Sequence, residues 1–102
     1  MKEVYRRSAR MPDEEKFGLM SQMRRSAVSI PSNIAEGSRR GSSKDFLQFL
    51  RIADGSASEL ETQLLISTDL FPQVEFVDAL QELNEVQRML GSLIQSISSH
   101  TH

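Results

Sequence analysis

The histidines and carboxylates of this chain are its first candidates for chemistry. Both histidines, His100 and His102, lie within the last three residues. Carboxylate-bridged metal sites in helical bundles need a glutamate and a histidine three residues apart on two of their helices, and the sequence contains no such pair. It also contains no cysteine, which excludes thiolate metal sites and cysteine nucleophiles. We therefore expect no metal, no cofactor and no catalytic residues.

Glu59 and Glu36 are the carboxylates best placed for acid–base chemistry, and they define a remote alternative in which the protein is a hydrolase. Glu59 falls beside two isoleucines of its predicted helix, so we expect it to be half-buried and to need a cation. Arg24 and Arg25 on the preceding helix are the candidate cations. Because structural ion pairs also perturb titratable groups, we interpret a pair of Arg24 or Arg25 with Glu59 or Glu36 as structural.

A polar stripe runs along the second predicted helix. Arg25, Ser29, Ser32 and Glu36 recur at helical spacing, and Asn33 flanks them. Such a stripe is typical either of a solvated face or of a buried network that fixes how two helices align. We favour the network.

A basic turn, GSRRGSSKD, occupies residues 37–45. It is not a P-loop, because Gly41 is followed by two serines instead of a lysine and a hydroxyl residue. It does place Arg39, Arg40 and Lys44 beside a helix N-terminus with free amides and hydroxyls, an arrangement that can bind phosphate. An ordinary capped and solvated turn is the alternative, and both stay open at this point.

The charge distribution is strongly asymmetric. Residues 1–51 hold 11 of the 12 basic residues and six acidic ones, a net charge of +5, whereas residues 52–102 carry −7. We hypothesise that the basic turn, with Arg6, Arg7 and Arg10 as additional contributors, forms a surface for RNA or DNA. Aromatic residues for base stacking are nearly absent from this half, so recognition should be of the phosphate backbone.

The elements that must position these residues are helices. Apolar residues recur at steps of three and four between the breaks at Pro12, residues 37–41 and Pro72. Pro31 falls inside the second helix and predicts a kink near residues 27–29 without ending it. The sequence predicts an all-α, up-down four-helix bundle in a single domain, 1–102, with a shortened first helix. The predicted helices are 2–10, 13–36, one capped by Ser42 or Ser43 and running to 71, and 74–98.

Composition excludes several classes of protein. With 38% hydrophobic and 25% charged residues, the chain is globular and is not disordered. The longest apolar run has three residues, too few to cross a membrane, and the N-terminus lacks the apolar segment of a secretory signal. We expect a cytoplasmic protein.

The third predicted helix is apolar on several sides, and the first is short. One small bundle therefore leaves apolar surface uncovered, which predicts a ring-like homo-oligomer.

The segment from Gln22 to Leu64 resembles a known family, the four-helix-bundle proteins typified by the protein encoded in intervening sequences of bacterial large-subunit ribosomal RNA genes. The matching residues follow the patterns Q-x-R-R-x-A-x-S-I-P-x-N-I-A-E-G and F-L-x-x-A-x-G-S-x-x-E-L-E-T-Q-L. The accessory protein of diversity-generating retroelements is similar. Two features differ from the pattern: the first helix is shorter, which we take as a sign of a longer native N-terminus, and Asp54 precedes Gly55.

The resemblance implies a bundle without known catalytic activity that assembles as a homopentamer. The retroelement relative is linked to nucleic-acid binding and to a reverse transcriptase partner. We therefore expect a non-enzymatic oligomer that binds RNA or DNA through its basic half. The alternative is a protein–protein adaptor, for a partner such as a reverse transcriptase, that does not bind nucleic acid directly.

Overall fold

The structure, a computed structural model, describes residues 1–15 and 18–100 and contains four α-helices and no strand in that range. The helices pack in cyclic order, since α1 contacts both α2 and α4, and α3 contacts both α2 and α4. The predicted all-α four-helix bundle is confirmed. In chain order the elements are α1 (Lys2–Ser8), a 3-10 turn (Asp13–Glu15), α2 (Leu19–Ser38), α3 (Ser43–Leu70) and α4 (Val77–His100).

The start of α2 differs from the prediction. The sequence predicts a helix from residue 13, but Asp13–Glu15 form a separate 3-10 turn. Gly18, with φ −103° and ψ −115°, lies outside the helical region, so α2 begins only at Leu19.

Pro31 lies inside α2, which continues unbroken to Ser38. The proline therefore does not end the helix, as predicted, and the kink at this position stays a prediction.

The turn between α2 and α3 is fixed by a close helix approach at Gly37 and by a helix cap at Ser42. A Cβ atom on Gly37 would lie 2.5 Å from Cβ of Phe49 and 3.0 Å from a ring carbon of Phe46. A glycine is therefore required for α2 to approach α3 this closely. On the other side of the turn, the hydroxyl oxygen of Ser42 accepts a hydrogen bond from the Asp45 N–H at 3.1 Å. This confirms Ser42 as the cap that begins α3.

The core is built mainly on α3, whose buried residues recur at helical spacing and face α2 and α4. Ile52, Ile66 and Leu70, also on α3, remain exposed. The apolar faces predicted for α3 are therefore only partly covered by the rest of the chain. The principal buried side chains are Met23, Ala27, Ile30, Leu50, Ala53, Ala57, Leu60, Leu64, Phe76, Ala79, Leu83 and Leu90.

The first helix is short, as predicted, and is held at one end of the bundle. The backbone N–H of Glu3 donates to a carboxylate oxygen of Glu82 at 3.2 Å, and Arg7 pairs with Asp78 at 2.8 Å. At 1.5 Å per residue, α1 covers roughly 10 Å of an α4 that is roughly 36 Å long. Among the described residues, no helix is both long and apolar enough to cross a bilayer.

Candidate nucleic-acid interface

The basic turn projects Arg39 and Lys44 into solvent beside the N-terminus of α3. Both side chains are exposed, as are Ser42 and Ser43, and neither cation takes part in an ion pair within the described part of the chain. The first turn of a helix presents backbone N–H groups without intrahelical partners, and its dipole favours an anion. Two free cations, a helix N-terminus and two hydroxyls therefore lie within one short turn.

Arg40, the third predicted residue of the turn, is held in place. Its guanidinium lies over the ring of Phe49, 4.9 Å from the centroid, and pairs with the carboxylate of Glu36 at 3.4 Å. The Arg40 side chain is still 49% exposed. A planar cation stacked on an aromatic face loses little further freedom on binding an anion. Arg40 therefore contributes a positioned cation whose charge is partly offset by Glu36.

Arg51 extends the basic surface and was missed in the sequence interpretation. It lies seven residues after Lys44 in α3, and this spacing returns to the same face of a helix after two turns. Arg51 is exposed and, within the structure's described range, forms no ion pair. The signal that could have identified it is this spacing from Lys44. The exposed cations Arg39, Lys44 and Arg51, with the stacked Arg40, are called the basic surface below.

The three arginines of the first segment do not join this surface. Because α1 contacts α2 near Arg24, 14 residues before the end of α2 at Ser38, the two sites are roughly 20 Å apart along the helix. Arg6 pairs with Glu3 at 3.1 Å, and Arg10 is exposed. The structure therefore places these predicted contributors apart from the turn, and their contribution to binding stays a prediction.

Arg7 has a structural role. Its side chain is only 18% exposed and bridges Glu3 at 3.4 Å and Asp78 at 2.8 Å. The hydrogen bond to the Asp78 carboxylate, followed by attraction to Glu3, raises the pKa of the Arg7 guanidinium above its ordinary value. Arg7 is thus committed to holding α1 against α4.

Arg24 contacts α1 and does not pair with Glu59 or Glu36, the carboxylates that the sequence predicts as its partners. Its guanidinium donates to the Ser8 hydroxyl at 2.9 Å and to the Tyr5 carbonyl at 3.2 Å, and lies 5.0 Å from the centroid of the Tyr5 ring. A hydroxyl and a carbonyl near the end of α1 replace the expected acid. Glu59 is exposed, where we predicted that it would be half-buried.

Ser29 and Asn33 form a polar network between α2 and α3. The hydroxyls of Ser29 and Ser56 lie 2.8 Å apart. The Asn33 amide donates to the Ser29 hydroxyl at 3.0 Å and to the Ser29 carbonyl at 2.8 Å. Ser56 is the partner on α3. Neither Arg25 nor Glu36 belongs to this network.

The carboxylates Glu36 and Glu59 do not lie together. Glu36 pairs with Arg40 near the turn, and the next residue, Gly37, packs on Phe49 of α3. Phe49 precedes Glu59 by ten residues, so Glu59 lies roughly 15 Å further along α3. In the ranges 1–15 and 18–100, no three side chains from histidine, aspartate or glutamate are grouped as metal ligands. His100 is bonded through Nδ1 to the Ser96 carbonyl at 2.7 Å, and His102 lies outside the described residues.

Comparison with known families gives one match. Residues 1–92 match the family model described as 23S rRNA-intervening sequence protein. The match covers all of α1, α2 and α3 and most of α4, including the basic surface and the Ser29–Ser56 network. No curated protein matches the chain.

Proposed function

This chain belongs to the 23S rRNA-intervening sequence protein family, and we propose that it is a non-catalytic, oligomeric bundle protein that binds RNA or DNA through the basic surface. The observation that carries this proposal is the exposure of Arg39, Lys44 and Arg51 beside the N-terminus of α3. None of these three cations forms an ion pair within the described range of the chain, and Asp45 is the acidic residue in the first turn of α3. Phosphate is the ligand that such a combination binds best.

Recognition is expected to involve the backbone of the nucleic acid more than its bases. Phe46 and Phe49, the aromatic residues nearest the turn, are partly buried against Gly37, and Phe49 also carries Arg40. Among the described residues, the exposed aromatic side chain is that of Tyr5 on α1, and it contacts Arg24. The described rings thus offer little free surface for stacking, and little sequence preference is expected.

Oligomerisation makes weak contacts sufficient. One basic surface offers only three or four cations, and contacts of this number give weak binding at physiological salt. Copies of the surface held in one ring act together, because the first contact raises the effective concentration of the next. The proposed assembly and the proposed binding therefore support each other.

The test compares two variants at opposite ends of the bundle. Fluorescence anisotropy at low salt measures the binding of labelled single-stranded RNA and duplex DNA. We expect Arg39→Ala/Lys44→Ala to weaken binding at least tenfold, equivalent to about 1.4 kcal/mol, while Arg10→Ala, also an exposed arginine, leaves the affinity within twofold. Equal affinity of the wild type and the double variant would show that this turn is not the site.

The second candidate function is the protein–protein adaptor, and exposed apolar side chains favour it. Met89 is 71% and Ile52 52% exposed, and large exposed apolar residues often mark contacts with other proteins. A wild-type protein that binds neither RNA nor DNA at low salt, but binds a protein such as a reverse transcriptase, would establish this function. We place either function in the cytoplasm.

A further inference from the structure

A polar groove of about 450 Å³ lies between α2 and α3, away from the basic surface. The described residues that line it belong to these two helices: Gln22, Arg25, Ser26, Ser29, Ser56, Glu59 and Gln63. It is called the α2–α3 groove below.

Three groups in the α2–α3 groove lack partners. The side-chain oxygen of Gln63 is buried without a hydrogen-bond donor. Arg25 and Glu59 lie on opposite walls, α2 and α3, and neither forms an ion pair within the described residues. Buried polar atoms are nearly always hydrogen-bonded in native proteins. The groove therefore exposes an unpaired cation and an unpaired anion, and the Gln63 oxygen is buried beneath its surface.

The border of the groove is apolar. Ile52, Glu59 and Ile66 are spaced by seven residues along α3, which places them on one face. Ile52 and Ile66 are 52% and 44% exposed. Gly55 lies on the same face, with open space where its Cβ would be, so a neighbouring backbone can approach closely there. The exposed isoleucines and the open space at Gly55 therefore leave an apolar face of α3 on which another helix can pack.

The outer face of α4 has complementary chemistry. Glu85, Arg88, Met89, Ser92 and Leu93 recur at helical spacing and form what we call the α4 stripe. Met89 is 71% exposed and Leu93 38%. Glu85 and Arg88 form no ion pair with each other or with any other described residue. The α4 stripe therefore offers an anion, a cation, a hydroxyl and two apolar side chains.

We propose that the α4 stripe of a second copy of this chain docks in the α2–α3 groove. Arg88 of one copy pairs with Glu59 of the other, and Glu85 pairs with Arg25. Met89 and Leu93 cover the isoleucines beside Gly55, and Ser92 lies over the polar centre of the groove. In the proposed contact each copy docks its stripe on one neighbour and receives the stripe of another, so the contact is head-to-tail and repeats from copy to copy. This inference rests on the oligomer of the proposed function and names the surfaces that build it.

Charge reversal tests the pairing of Arg88 with Glu59. Light scattering after size exclusion should give the wild type a mass of about five times the 11.5 kDa of one chain. Glu59→Arg alone and Arg88→Glu alone should each raise the concentration of half-dissociation at least tenfold. The two substitutions combined in one chain should restore assembly to within threefold of the wild type, since the pair is then reversed and intact.

Matched controls keep the result interpretable. Glu75→Arg reverses an exposed glutamate outside the α2–α3 groove and should leave the mass unchanged, and circular dichroism should show full helicity in every variant. Assembly that survives both single reversals, or that the combined reversal fails to restore, overturns the inference and leaves an assembled nucleic-acid-binding protein standing. A monomeric wild type overturns the inference together with the oligomer of the proposed function. If the wild type is monomeric and a different protein binds it but does not bind Glu59→Arg, the occupant is that protein and not a second copy.

Discussion

Gly37 is the residue on which the geometry of the basic surface depends most directly. It is the first residue of the basic turn that bears Arg39 and Arg40, and it packs against Phe49, whose ring lies under the Arg40 guanidinium. A side chain at this position must move α2 away from α3 and would displace the stacked cation. The backbone contact between the two helices thus sets where the arginines project.

We expect Gly37→Ala to lower the free energy of unfolding by roughly 1–3 kcal/mol, the usual cost of overpacking. The 2.5 Å approach to Cβ of Phe49 cannot be relieved by a side-chain rotation. Gly91→Ala is the control, because nothing lies within 4 Å of a Cβ there and alanine favours a helix by about 1 kcal/mol. Urea unfolding measures both. A Gly37→Ala variant as stable as Gly91→Ala would contradict this account of the turn.

Residue types and spacing anticipated the local contacts of the site better than the distant ones. The cap at Ser42 follows from a local pattern. The partner of Arg24 does not, because Ser8 and Tyr5 belong to a helix whose docking leaves no periodic signal in the sequence. The predicted half-burial of Glu59 is wrong for a related reason. Ile52 and Ile66, which lie beside it on α3, are apolar but remain exposed in the single chain.

At the scale of elements, α1 is the helix that depends most on others. Seven residues are too few for an isolated helix to be stable in water. Val4 is buried, and bonds from Arg7 and Arg24 connect α1 to α4 and α2.

The sequence predicts the helices α3 and α4 well because their apolar repeats are long. It misplaces the start of α2, because Pro12 and the acids that follow it imitate a helix start, whereas the chain continues through Gly18 first.

Removing one of these bonds should release α1 alone. We expect Arg7→Ala to speed amide hydrogen exchange in residues 2–8 at least tenfold, because the ion pairs with Asp78 and Glu3 are lost. Exchange in the centre of α3 should stay as in the wild type. Arg6→Ala removes only an exposed pair with Glu3 and serves as the control. Mass spectrometry locates the change, and equal exchange in both variants would show that Arg7 does not hold α1.

At the scale of the whole molecule, the helices divide the basic residues between two ends. The +5 charge of residues 1–51 predicts a basic surface. It does not predict which of the basic side chains form ion pairs with acidic residues. Arg7 is committed to Asp78, whereas Arg39, Lys44 and Arg51 form no ion pair in the part of the chain that the structure describes. We therefore expect phosphate to bind at one end of the bundle only.

The salt dependence of nucleic-acid binding tests this assignment most directly. Each phosphate that a cation neutralises releases counterions, so the logarithm of the affinity falls linearly with the logarithm of salt concentration, by about 0.9 per contact on duplex DNA. An anisotropy titration over a salt series gives this slope for the wild type, Arg39→Ala/Lys44→Ala and Arg10→Ala. We predict a steep slope for the wild type and for Arg10→Ala. The double variant should be shallower by about two for each copy that contacts the nucleic acid. A double variant with the wild-type affinity and slope, or a wild type that does not bind at low salt, would contradict the account.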